Sequence, residues 1–148
     1  MHRIRGAAAA SVVAVVTLTA GVALAAPLTE SQWKKQANAF CKQVNKELEP
    51  IQRELFAGLG EDERPSPEQI SAYVEQFVPV IEDAVASIDA LNEPKSLKSG
   101  VKKFKAAVAD ALASVQDDPD AAFAGNNDPF ANANKVARKL GLKACANG

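Results

Sequence analysis

Residues 28–55 read LTESQWKKQANAFCKQVNKELEPIQREL, and this stretch decides the fold class. Thr29 is a capping residue, Gln32 three positions on can close a capping box with it, and Leu28 can staple onto Trp33. Apolar residues then return at Trp33, Ala37, Phe40, Val44, Leu48, Ile51 and Leu55, in steps of three and four. That spacing collects them on one face of an α-helix, with Cys41 at its edge, and Gly58 and Gly60 end it. Downstream, Ser66-Pro67-Glu68-Gln69 repeats the start signal with proline at the first helical position. The stripe it opens runs Ile70, Tyr73, Phe77, Ile81, Ala84, Ile88 and Leu91 and breaks at Asn92-Glu93-Pro94. A third stripe, Leu97, Val101, Phe104, Val108, Ala111 and Val115, stops at Asp117-Asp118-Pro119, which opens a short turn through Phe123. Asp128-Pro129 then starts a last helix carrying Phe130, Ala133, Val136 and Leu140, closed by Gly141 with Leu142 folding back on it. No stretch alternates as a strand would. Short connections make neighbouring helices antiparallel. The expectation is an all-α fold: three long antiparallel helices plus a shorter C-terminal helix, tied by one disulfide.

Upstream, residues 1–26 read as a leader. His2, Arg3 and Arg5 are basic, no charge occurs from Ala7 to Ala26, and Ala23-Leu24-Ala25 offers small residues to a signal peptidase. This predicts a signal peptide over 1–26, cleaved after Ala25 or Ala26, and a single helical-bundle domain over 27–148. The rival is an uncleaved anchor, but Ala, Thr and Gly leave the segment weakly apolar. With 47% hydrophobic residues the chain is too apolar to be disordered. Cleavage takes Arg3 and Arg5 from the 17 basic residues and none of the 18 acidic ones, leaving a mature net charge of −3. It also removes His2 and Met1, the chain's one histidine and one methionine. Histidine general-base catalysis, His-ligated zinc and His- or Met-ligated haem then have no residues to work with. No basic field points to nucleic acid, and no second apolar stretch points to stable membrane insertion after cleavage.

Export places Cys41 and Cys145 in an oxidising compartment, where a pair of cysteines reads as one structural bridge. The loop it closes, about 100 residues, makes it worth roughly 4–5 kcal/mol in the chain-entropy model. A redox-active dithiol would place its cysteines close in sequence, as in C-x-x-C, and these are far apart. Phe40-Cys41 on a first helix after Trp33, with the ending Asp128-Pro129-Phe130, Asn134, Ala137, Leu140-Gly141-Leu142 and Cys145, resembles a group of small secreted or lipid-anchored bacterial envelope proteins. The resemblance covers about Leu28 to Cys145, supports the Cys41–Cys145 bridge and implies no assigned activity. The chain departs from lipid-anchored members in having no cysteine near the cut, which points to release or loose cell-wall association.

Candidate sites are few. Asp117, Asp118, Asp120 and Asp128, with Asn126 and Asn127, are hard oxygen ligands, but Ala122 stands where an EF-hand would place its third ligand and no glutamate closes the loop. Asp118 and Asp128 read instead as caps, and no metal is expected. Nothing singles out a carboxylate pair for glycoside cleavage. Lys95, Lys98, Lys102 and Lys105 make a basic stripe on the third helix, either a solvated face or a contact for an anionic envelope polymer, a lipid headgroup or an acidic partner. Pro50 and Pro79 interrupt two apolar stripes and free the carbonyls of Lys46 and Glu75. In an antiparallel pair they lie within about 6 Å of one height. Kinks there either curve the helices round the core or open an apolar cleft near Ile51, Tyr73 and Phe77, faced by Ala107, Val108 and Ala111. Trp33 reads as core and Tyr73 as a core-edge aromatic with its hydroxyl outward. These readings describe a secreted, non-enzymatic, cofactor-free protein that binds at the bacterial envelope. It would hold an apolar small ligand in the bundle (Ile51, Tyr73, Phe77, Val108, Ala111) or an anionic or protein partner on the lysines. The alternatives are a purely structural envelope protein and, behind it, a hydrolase using paired carboxylates.

Overall fold

A computed structural model describes residues 28–60, 63–123 and 128–146. The leader assigned to residues 1–26 lies outside them, as do Asn126 and Asn127. Among the described residues there is no strand. The elements are α1 (Glu30–Leu55), α2 (Pro67–Asp89), α3 (Lys98–Asp117), α4 (Pro119–Ala122), α5 (Ala131–Leu140) and a 3₁₀ turn at Lys143–Ala146. The chain is therefore all-α, with three long helices, a single turn and a shorter C-terminal helix.

Local chemistry accounts for most of the boundaries. Thr29 Oγ1 accepts the Gln32 N–H at 3.3 Å while Gln32 Oε1 accepts the Thr29 N–H at 3.0 Å, a complete capping box. Ser66 and Gln69 repeat it at 3.3 and 2.8 Å, with Pro67 in the first helical position. Asp118 Oδ1 accepts the Ala121 N–H at 2.9 Å and so caps α4. Gly141 takes the left-handed conformation, φ +78°, and ends α5. The Leu142 N–H then reaches back to the Ala137 carbonyl at 2.9 Å and Leu142 is fully buried, which is a Schellman closure.

One boundary differs from the sequence expectation. Helix α5 begins at Ala131, not at Asp128-Pro129, and its N-terminus has no side-chain cap. Asp128 instead builds a turn: its Oδ1 accepts the Phe130 N–H at 2.8 Å and its carbonyl accepts the Ala131 N–H at 3.0 Å. Its capping capacity is used one turn early.

The apolar stripes meet in one core that includes Trp33, Ala37, Leu48, Tyr73, Ile88 and Val115. Helix α1 packs along α2, and the pair is fastened at both ends. The Gln52 side chain bonds to the Tyr73 hydroxyl, and the Leu28 N–H bonds to the Asn92 carbonyl, so the two helices run in opposite senses. Helix α3 packs along α5, the 3₁₀ turn lies on α1, and α4 touches both α2 and α3. Direct contact between α2 and α3 is slight. The Cys41–Cys145 disulfide joins the middle of α1 to the 3₁₀ turn. Helices α1 and α2 continue through Pro50 and Pro79, and both prolines face solvent.

Candidate functional site: an apolar cavity walled by helices and the disulfide

The sparse contact between α2 and α3 leaves a cavity of about 410 Å³. Each wall is one face of a helix. Helix α1 contributes Cys41, Val44, Asn45, Leu48 and Gln52; α2 runs from Tyr73 to Ile88; α3 adds Phe104, Val108 and Val115. The fourth wall is built from Phe123, the Asp128–Phe130 turn, Ala133 and Cys145.

Four aromatic rings border this space in a chain. Tyr73 stacks on Phe77 with centroids 5.4 Å apart and takes Phe123 edge-on at 5.3 Å, while Phe77 takes Phe130 edge-on at 5.6 Å. Such offset and edge-on pairs are the favourable arrangements for ring quadrupoles. Polar atoms on the wall are few and mostly engaged. Gln52 Nε2 donates to the Tyr73 hydroxyl at 3.4 Å, Asn45 Nδ2 to the Ala144 carbonyl at 3.4 Å, and Asn134 Nδ2 to Asp128 Oδ2 at 3.3 Å. Burial pushes the Tyr73 phenol above its ordinary range, and the Gln52 bond offsets part of that rise.

Three of the five residues expected to hold a ligand, Tyr73, Phe77 and Val108, line the cavity together. Ile51 is half-buried on α1 and is not part of the wall. Ala111 is buried on α3 but ends at its β-carbon, and the wall there is formed by Val108 and Val115 on either side. Ala107 is likewise buried away from the cavity. Tyr73 also differs from expectation: it is only 4% exposed, and its hydroxyl meets Gln52 rather than open solvent. Phe123, Phe130 and the two cysteines were not anticipated as wall residues. Only Phe130 had a signal, in the apolar C-terminal stripe, and which face that stripe presents depends on packing across the whole chain.

The lysine stripe is interrupted. Lys95, Lys98 and Lys102 are exposed, whereas Lys105 is half-buried and paired with Asp89. Among the described residues no three acidic, cysteine or histidine side chains converge as a metal site, and no helix is long and apolar enough to cross a membrane. Comparison with known proteins finds no matching family model, no matching curated protein and no matching solved structure.

Proposed function

We infer that this is an exported protein that acts by binding a small apolar molecule in the cavity between α1, α2, α3 and the C-terminal segment, and that it performs no catalysis. The cavity carries the reading. Its volume falls in the range of small-molecule sites, about 300–1,000 Å³, and its wall is mainly apolar and aromatic with a few polar groups at fixed places. Export rests on the leader-like residues 1–26, and the disulfide suits an oxidising compartment outside the cytoplasm. The resemblance to small bacterial envelope proteins agrees with that location. The absence of histidine downstream of residue 2 supports binding over acid–base chemistry.

The test is native mass spectrometry of the protein purified from its own host, paired with binding of an apolar fluorescent dye. An apolar adduct released on unfolding is expected. Filling the cavity with Ala84→Phe should abolish dye binding while leaving the helical circular dichroism intact. Protein that carries no adduct and takes up no dye overturns the reading.

A further inference from the structure

Resting on that reading of the cavity, we propose that its ligand is an apolar chain or ring carrying a positively charged amine or quaternary ammonium head. Among the described residues the wall holds one carboxylate, Asp128, and no lysine, arginine or histidine. Asp128 is exposed at the cavity's C-terminal wall, so its carboxylate keeps a solvated side from which a head group can approach. Its two oxygens accept one bond each, from the Phe130 N–H at 2.8 Å and from Asn134 Nδ2 at 3.3 Å. A carboxylate offers about four acceptor positions, so acceptor capacity is left over. Those two bonds also fix the carboxylate's orientation before any ligand arrives.

The aromatic chain points the same way. Phe130 lies within the Asp128 turn and packs on Phe77, which continues to Tyr73 and Phe123. A cation beside an anionic carboxylate and over an aromatic face is attracted by both. An anionic head meets the opposite: it loses its hydration against an apolar wall, faces a like charge, and finds no cation on the wall to receive it. The cavity therefore discriminates by the charge of the head, while the apolar body supplies most of the contact.

Three probes with the same alkyl chain and different heads separate the possibilities: dodecylamine, dodecanol and dodecanoate. Each displaces the apolar dye from the protein as its own host processes it, at neutral pH and fixed ionic strength. The amine is expected to displace at a concentration at least about tenfold below that of the carboxylate, with the alcohol between. Asp128→Asn keeps an acceptor for the Phe130 N–H and removes the charge, so it should bring the amine to the alcohol's level. Should that variant unfold, the ranking of the three probes on the unaltered protein decides alone. A carboxylate that competes as well as the amine overturns the charge assignment and leaves the apolar-ligand reading standing. Failure of all three probes to displace a bound dye overturns the proposed ligand, and failure of the dye itself to bind overturns both.

Discussion

At the scale of single residues, Asn38 holds more of the structure than its type suggests. It lies mid-helix on α1, where asparagine is a poor helix former. Its Nδ2 donates to the Lys34 carbonyl at 2.8 Å and the Gly141 carbonyl at 3.1 Å, and its Oδ1 accepts the Ala144 N–H at 2.8 Å. One side chain thus satisfies backbone groups on both sides of the C-terminal turn. Asn38→Ala leaves the Ala144 N–H and Gly141 carbonyl unpaired in a half-buried place and is expected to cost about 1–3 kcal/mol in urea unfolding, despite alanine's better helix propensity. A neutral or stabilising effect would show that the disulfide and the remaining contacts hold the tail without Asn38. Tyr73 carries a pH signature. Its folded-state pKa is raised by burial, so the unfolded chain loses the phenolic proton first as pH climbs. Stability from this residue is complete below about pH 10, the ordinary tyrosine value, and is lost above it. Tyr73→Phe should flatten the alkaline fall in the urea midpoint, and an unchanged fall would place the titration elsewhere.

At the scale of elements, one helix contact is packed around a missing side chain. A β-carbon at Gly100 would stand 2.5 Å from Leu140 Cδ2, so a side chain there must displace the buried tip of Leu140 where α3 meets α5. Gly100→Val should cost about 1–3 kcal/mol by overpacking, and less in a Leu140→Ala background where the space has been cleared. Strictly additive costs would mean that the helices separate rather than clash. The glycine was silent in the sequence because its role exists only once α5 lies across α3. The same reasoning divides the legible from the illegible elsewhere. Thr29–Gln32 and Ser66–Gln69 announce their helices because a capping box is closed within four residues. The third stripe and the Gly141 stop are equally local. The start of α5 was misplaced because Asp128 had two plausible backbone partners, a helix or a turn, and took the turn. Tyr73, Phe77 and Val108, which the stripes and prolines single out, line the cavity. The cavity itself, however, lies where α2 and α3 hardly touch and α4 meets both, which no window of sequence specifies. Pro50 and Pro79 face solvent on uninterrupted helices, so their place in the sequence located the right level of the bundle without forming the cavity wall.

At the scale of the whole molecule, stability and binding meet in one covalent bond. Cys41 and Cys145 are 104 residues apart, and both line the cavity. Closing so long a loop removes denatured-state entropy worth up to about 4.7 kcal/mol, a large share of the stability of a small domain. Reduction therefore withdraws this support from every helix at once. It also acts locally, because the 3₁₀ turn borders the cavity through Cys145 and is otherwise fastened through Asn38, Asn45 and Arg138. The two effects separate in a urea titration followed by two probes. In the Cys41→Ser/Cys145→Ser variant the helical signal should melt at lower urea, corresponding to a loss of about 2–5 kcal/mol. Bound dye should leave at still lower urea, while the helices remain, since releasing the tail opens the cavity before the α1–α2 pair parts. In the oxidised protein the two curves should coincide. Coincident curves in the variant as well would mean that the tail stays seated without the bond and that the cavity fails only with the whole bundle.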